Sequence, residues 1–293
     1  MSEVKVDIKL LKKLRDTTDL PITDCREALQ EKNNNFEAAL ALLKIKGLAK
    51  AEKKSINKAT EGITKVLIYG NHAVIAELNC QTEQVADLAE FNNLFNKILV
   101  TILKHQPQTI STALELKTDT SKETLNNEIK LAIAKLGENI VLTRFQCLTK
   151  NNDEVFGSYV HGGGKYSSLV VIKGNIDAKS DVANNIAMQL VSADAKYIDI
   201  NQIPTIVREQ ELAIIREKTK AEEKLKAKKR PDNILENIIQ GRFAKVLSEL
   251  TIIDQMYIKD NTIKVKDYLA KNHAKIIAML RYQLGEKIDK VTK

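Results

Sequence analysis

The sequence predicts an α+β protein: a small N-terminal three-helix module, two related α+β subdomains with antiparallel sheets, and an inserted helical hairpin that forms a coiled coil. Apolar residues recur every three or four positions in 5–47 and again in 204–250, as in helices that bury one face. Runs of β-branched residues flank glycine turns between these stretches. A strand-turn-strand-helix pattern occurs twice, at 62–104 and 155–191, which predicts two related halves that pack together.

The composition is typical of a soluble protein from a reducing compartment. With 293 residues and 43% hydrophobic content the chain can bury a sizeable core, and its net charge of +8 suits a protein that meets an acidic partner. No apolar run approaches ~18 residues. Met1-Ser2-Glu3 opens no signal peptide, so we expect no membrane association. The three cysteines lie far apart without a C-x-x-C, which indicates a cytoplasmic location.

Residues 1–55 are predicted to form the three-helix module and a linker. The first helix stops at a break at Leu20-Pro21, Thr23 is placed to cap the second, and Gly47 is placed to end the third. A unit of this size barely holds a core, so it is more typical of a docking module than of an enzyme. The basic stretch at 48–61 has no interleaved aromatic residue for base stacking, which favours a solvated linker or an exposed helix.

Residues 56–140 are predicted to form the first α+β subdomain. Cys80 to Gln84, here called the corner, joins a strand to a helix, and from its residues alone it is an ordinary exposed turn with Thr82 as the helix cap. The expected elements, in order, are two strands within 62–78 around the Gly70-Asn71 turn, a helix at 85–103, a polar loop at 105–123, and a helix at 123–136 that ends at Gly137.

Residues 141–203 and 251–293 are predicted to form the second subdomain, and 204–250 the inserted hairpin. The hairpin has a charged first arm, a basic tip at 228–231, and Asp232 placed to cap the return arm. The remaining elements are strands at 139–148, 155–160, 166–173 and 276–284 and helices at 178–191 and 262–271.

The residues contain no recognisable catalytic or metal-binding set. The glycine turn at 161–164 is not a P-loop, because Tyr159 stands where the first glycine is required and Tyr166 replaces the Ser or Thr. It is not the oxyanion turn of an esterase either, because the chain has no G-x-S-x-G. A hairpin turn is the plain interpretation. The histidines and cysteines share no ligand spacing, so we expect no metal and no cofactor.

Six short segments, taken together and in order, resemble the signatures of the elongation factor Ts family, the nucleotide-exchange factors of elongation factor Tu. Each segment is weakly specific by itself, whereas the ordered set from about residue 14 to residue 286 is specific. The segments are 14–18 (LRDTT), 24–29 (DCREAL), 77–82 (ELNCQT), 157–162 (GSYVHG), 240–243 (QGRF) and 281–286 (RYQLGE).

The resemblance implies a non-enzymatic guanine-nucleotide exchange factor whose partner is elongation factor Tu, in its GDP-bound and nucleotide-free forms. It implies that the N-terminal module is ubiquitin-associated-like, that the coiled coil is a protein-contacting arm, and that the C-terminal helical module of some members is missing after residue 286. No specific nucleic acid is expected. The residues implied to disturb the phosphate and Mg²⁺ region are Thr82, Glu83, Gln84 and Val85, and those implied in docking are Leu14, Arg15, Thr18, Leu20, Pro21, Asp24, Cys25, His161 and Gly162.

Two features keep the interpretation open at this point. The family continues its corner with Asp-Phe, whereas this chain has Glu83-Gln84. A basic RNA-binding protein of the translation apparatus is the competing class, with Phe156, Tyr159 and Tyr166 as its stacking candidates, although these residues are placed to pack in a sheet.

Overall fold

The computed structural model describes residues 4–18, 20–174, 181–225 and 230–287 and divides the chain into two compact units. The first unit consists of the residues up to Thr149, together with Gly162–Tyr166 and the segment from Tyr282 onward. The second unit consists of Lys150–His161 and Ser167–Arg281. Helices combine with small sheets throughout, which confirms the predicted α+β class.

The first unit begins with three helices and continues with a three-stranded sheet and its covering helices. Its elements are α1 (Ile8–Thr18), α2 (Ile22–Glu31), α3 (Phe36–Lys54), β1 (Glu61–Tyr69), β2 (His72–Cys80), α4 (Glu83–Ala86), α5 (Ala89–His105), α6 (Ile110–Leu114), α7 (Leu125–Leu136) and β3 (Val141–Thr149).

Helix α3 passes through Gly47 and ends at Lys54, so the predicted helix end at Gly47 is wrong. Gly47 is buried against α7, and a Cβ built there would lie 3.2 Å from the Cβ of Ala134. The glycine therefore allows close packing of two helices and does not terminate one.

The predicted side-chain caps at Thr23 and Asp232 are also wrong. Pro21 occupies the position before α2, and Pro231 the position before the return arm of the hairpin, each without a side-chain hydrogen bond to the helix. Proline already has the backbone φ that a helix start requires. Thr23 and Asp232 consequently lie inside the first turn of their helices.

In the first sheet β2 lies between β1 and β3, and both neighbours are antiparallel to it. The predicted boundary at residue 140 is therefore one strand too early, because β3 belongs with the first sheet. The side chains of β2 from Ala73 to Cys80 are buried. Helix α5 covers the sheet with Phe91, Phe95 and Ile98, which form the centre of the core.

Two local predictions in this unit are corrected. The helix expected at 85–103 is broken after Ala86, because Leu88 has an extended backbone (φ −66°, ψ 143°) and α5 begins only at Ala89. The polar loop expected at 105–123 contains the short helix α6, where the side chains and backbone of Thr109 and Thr112 form a reciprocal capping box.

The second unit has a three-stranded sheet, a covering helix and the long hairpin. Its elements are β4 (Glu154–His161), β5 (Tyr166–Gly174), α8 (Val182–Ala193), α9 (Thr205–Lys224), α10 (Asp232–Leu250), β6 (Met256–Tyr257), β7 (Asp260–Lys264), α11 (Val265–Lys271) and β8 (Ala274–Gln283). The sheet order is β4-β5-β8. The central strand is therefore β5, the second strand of the β4-β5 pair, just as β2 is central in the first sheet.

The segment before β8 differs from its prediction. A helix was expected at 262–271, but β6 and β7 form a two-stranded ribbon and α11 begins at Val265. The predicted hairpin tip includes Lys228 and Lys229, which lie outside the described residues, as do the first residues of the helix expected at 178–191. No helix in the described part of the chain combines the length and apolarity needed to cross a bilayer.

The strand β2 carries a buried carboxylate that ties the C-terminal segment to the first unit. Glu77 is 1% exposed. The Nε of Arg144, on β3, donates to Glu77 Oε2 at 2.7 Å, and the Gly285 N–H donates to Glu77 Oε1 at 2.9 Å. Arg144 Nη2 also donates to the carbonyl of Gln283 at 2.8 Å, and its guanidinium stacks 4.0 Å from the centre of the Tyr282 ring. These contacts give a structural role to segment 281–286, one of the six segments that resemble the family signatures.

We predict that Arg144→Met lowers the free energy of unfolding by about 3 kcal/mol, because it leaves a buried carboxylate without its charge partner. Lys104→Met is the matched control: Lys104 pairs with Asp119 at 2.8 Å, but both side chains are more than half exposed, and the expected loss is less than ~1 kcal/mol. Urea unfolding of both variants measures the difference. Equal losses in the two variants would contradict the role assigned to Arg144.

Candidate functional site

The corner is a well-ordered strand-to-helix junction with two exposed side chains. Thr82 is the N-cap of α4, and its Oγ1 accepts a hydrogen bond from the Val85 N–H at 3.4 Å, as predicted. Glu83 and Gln84 are the first two residues of α4, and both are exposed. Val85 is 8% exposed and packs into the core, so its side chain supports the corner from inside. The accessible part of the predicted set is thus Thr82, Glu83 and Gln84.

Glu138 contacts the corner at three points, and the sequence reasoning missed it. Its Oε2 accepts hydrogen bonds from the backbone N–H groups of Gln81 and Thr82 at 3.1 and 3.0 Å. Its Oε1 accepts from the Thr82 hydroxyl at 2.7 Å. The local signal was an acidic residue directly after Gly137, whose left-handed φ of 78° ends α7. That pattern alone does not indicate which backbone N–H groups donate to the carboxylate.

The strand that leads into the corner carries two buried polar side chains, Glu77 and Asn79. Asn79 Nδ2 donates to Glu77 Oε1 and to the Glu61 carbonyl, both at 3.1 Å, and its Oδ1 accepts from Thr143. The Cys80 thiol lies 3.1 Å from the Thr82 carbonyl. Burial, and secondarily the Glu138 carboxylate, raises the pKa of Cys80 to about 11. The thiol therefore stays protonated at neutral pH and is unsuited to nucleophilic chemistry.

The glycine turn at Gly162–Gly164 lies against β1 within the first unit. Gly164 has a φ of 95°, and a Cβ built there would lie 2.9 Å from the Cβ of Ile63. The Thr64 hydroxyl donates to the Gly164 carbonyl at 2.8 Å. Lys165, the next residue, pairs with Glu83 at 3.1 Å, and this ion pair raises the pKa of Lys165. The ion pair thus links the glycine turn to the corner, two candidate contact sites that are separate in the sequence.

His161 precedes this turn and belongs to the second unit. Its side chain is exposed, and its Nδ1 lies 3.4 Å from the Tyr159 hydroxyl, with the two ring centres 6.1 Å apart. Gly162, which belongs to the first unit, is exposed and has a φ of 60°.

The residues expected to dock in the N-terminal module divide into a core set and a surface set. Leu14 and Cys25 are fully buried in the module core, so their side chains are not available to a partner. Thr18 links them, since its hydroxyl donates to the Leu14 carbonyl at 2.7 Å and lies 3.7 Å from the Cys25 sulfur. The remaining surface residues are Arg15 and Pro21, which are exposed, and Leu20 and Asp24, which are half-buried.

The described residues contain no group of three or more His, Cys, Asp or Glu side chains arranged to hold a metal ion. What the geometry does provide is an exposed pair of side chains on a corner held by partly buried hydrogen bonds, and a small helical module with an exposed face. Both features leave side chains accessible to another macromolecule.

The chain resembles known proteins over nearly its whole length. The family model described as Elongation factor TS matches residues 81–286, which is more than half of the chain. The elongation factor Ts of Oenococcus oeni is 37% identical over 286 residues, covering 98% of this chain and 94% of the relative. Those of Pediococcus pentosaceus and Lactiplantibacillus plantarum are each 35% identical, over 287 and 286 residues, with the same coverage. The predicted resemblance is confirmed, and the chain belongs to the elongation factor Ts family.

Proposed function

We propose that this chain binds elongation factor Tu and promotes release of GDP through the corner, with the N-terminal module as a separate docking surface. Membership in the elongation factor Ts family carries the functional part of this statement: the chain is a nucleotide-exchange factor of translation elongation. The names of the relatives lend no support to the RNA-binding alternative. A translation factor of this kind acts in the cytoplasm.

Exchange requires binding energy and no covalent chemistry. A factor that binds the nucleotide-free partner more tightly than the loaded partner weakens nucleotide binding by the same factor, as linkage demands. The protein therefore needs firm contact surfaces and no nucleophile or general base. The protonated, buried thiol of Cys80 beside the corner is consistent with this requirement.

The corner has the properties of the contact that disturbs the partner's phosphate and Mg²⁺ region. Glu83 presents an exposed carboxylate whose Oε1 lies 3.1 Å from Lys165 Nζ, and Gln84 presents a flexible amide. Because both lie at the start of α4, above the buried Val85, they project from a backbone that is anchored on its inner side. A carboxylate in that position acts on a bound cation region by charge alone.

The N-terminal module supplies the docking surface through the exposed residues around Leu20. Arg15, Pro21 and Ile22 surround this residue, and Ile22 is 44% exposed at the first position of α2. An exposed apolar residue flanked by a basic side chain suits a partner surface with an apolar spot and acidic rim. Leu14 and Cys25 shape this surface from the core beneath it.

The direct test of the function is stopped-flow release of a fluorescent GDP analogue from elongation factor Tu. We expect the release rate to rise with added protein and then saturate, because the reaction passes through a complex. An unrelated basic protein of similar charge serves as the control. A release rate that stays at the spontaneous value at saturating protein would refute the proposal.

The resemblance implies that the family's Phe at the position of Gln84 acts as an apolar wedge on the partner, and glutamine at this position predicts a weaker wedge. An aromatic side chain buries a large apolar area at low rotamer cost, whereas glutamine loses more side-chain entropy when ordered. We expect Gln84→Ala to change the saturating rate of GDP release little, and Gln84→Phe to match or raise it, so that exchange depends more on the module and His161. If alanine and phenylalanine both slow release by about tenfold, or ~1.4 kcal/mol, Gln84 is instead a specific polar contact.

The docking surface predicts a loss of affinity from Ile22→Asp. Leu20 packs partly against the module core, so its replacement would disturb the fold, whereas Ile22 is exposed and an aspartate in the first turn of α2 suits the helix dipole. We expect a loss of about 1–3 kcal/mol in binding to elongation factor Tu by calorimetry. Ile45→Asp, on α3 and 66% exposed, is the control. Identical affinities of the two variants for elongation factor Tu would show that the docking site does not include Ile22.

A further inference from the structure

We propose that Glu138 is the positioning residue of the exchange corner: its carboxylate fixes the backbone from which Glu83 and Gln84 reach the partner. The inference rests on the proposed function, and it adds a residue that lies more than 50 positions along the chain from the side chains it serves.

Both oxygens of the Glu138 carboxylate are used on the corner. One accepts the N–H groups of Gln81 and Thr82, at 3.1 and 3.0 Å, and the other accepts the Thr82 hydroxyl, at 2.7 Å. Hydrogen bonds to an ionised acceptor are about twice as strong as neutral ones. The three bonds therefore define where β2 ends and at what angle the chain leaves it.

The Thr82 hydroxyl also fixes the start of α4, because it binds both Glu138 and the first turn of this helix. Because it donates to Glu138, its free lone pair is directed to the Val85 N–H, from which it accepts at 3.4 Å. Helix α4 has only four residues, and a helix of that length does not hold its own shape in water. Its direction thus depends on the anchored Thr82 at one end and the buried Val85 and Ala86 at the other.

The loop that carries Glu138 is itself held by the corner. The Asn139 N–H donates to the side chain of Gln81 at 3.0 Å, in the opposite direction to the bonds that Glu138 accepts. The buried Asn139 amide donates to the carbonyls of Asn57 and Ser55, at 2.7 and 3.3 Å. Residues 81–82 and 138–139 therefore position each other reciprocally, and neither can shift without breaking bonds of the other.

A pre-positioned corner raises the saturating rate of exchange, because less conformational freedom is lost when the corner engages the nucleotide region of a partner that the N-terminal module already holds. Removal of the carboxylate should therefore reduce the saturating rate of GDP release, because the Glu83 side chain loses its fixed position on the corner. It should leave the half-saturating concentration unchanged, because that depends on the docking module. A residue with a purely structural role would instead reduce stability without this separation.

The test compares Glu138→Gln, an isosteric change, with Glu128→Gln in the full-length chain. Glu128 lies on the adjoining helix α7 and pairs with Lys97 at 2.8 Å, away from the corner. For Glu138→Gln we expect amide hydrogen exchange at Gln81 and Thr82 to accelerate about tenfold, and the saturating rate of GDP release to fall about tenfold. For Glu128→Gln we expect neither. Thr82→Val removes the hydroxyl bond to Glu138 together with the cap of α4, but it keeps both backbone N–H bonds to Glu138, so amide exchange at Gln81 should accelerate less than in Glu138→Gln.

The two readouts separate the failure of this inference from the failure of the proposed function. Unchanged amide exchange at Gln81 and Thr82 in Glu138→Gln would overturn the positioning role, whatever the exchange kinetics. An equal fall in release rate for Glu128→Gln, or a rise in the half-saturating concentration with no change in rate, would also overturn it. A wild-type chain that does not accelerate GDP release would overturn the proposed function, and amide exchange would still report whether Glu138 holds the corner.

Discussion

The buried carboxylate of Glu77 imposes the constraint on which the first unit depends. A charge in a protein interior is tolerated only when it is paired and hydrogen-bonded. Its partners come from β3, through Arg144, and from Gly285, which lies 208 residues further along the chain. One side chain on the central strand therefore brings together both the third strand of its own sheet and the C-terminal segment. Local sequence preferences could not bring about either association.

The same strand leads to the corner, which is the proposed functional surface. From Glu77 the buried polar groups continue through Asn79 to the corner, where Glu138 and Asn139 complete the set of hydrogen bonds. Each group is satisfied by a partner from a different part of the chain, so the strand end cannot adopt an alternative register without leaving buried polar atoms unpaired. Under the proposed function this rigidity favours binding, because less conformational freedom is lost when a fixed surface contacts the partner.

The geometry also explains how the corner can depart from the family pattern. Glu83 and Gln84 are exposed, whereas Thr82 and Val85 on either side of them carry the structural contacts. Substitution at the exposed positions leaves the core and the hydrogen bonds of Glu138 intact. Glu83 and Gln84 therefore place no demand on the folded core, and under the proposed function their consequences fall on partner recognition. The ion pair of Glu83 with Lys165 adds a neighbour that becomes evident only in three dimensions.

The sequence by itself determined the α+β class, most of the helices and strands, the position of the corner and the family, because periodicity and turn residues act over a few positions. Only the tertiary structure decided that β3 joins the first sheet, that Gly47 allows helix packing, and that Glu138 and Lys165 reach the corner. The physical reason is distance along the chain: strand pairing, burial and buried hydrogen bonds join residues tens to hundreds of positions apart. Their partners are selected by the complete packed core, which no local pattern contains.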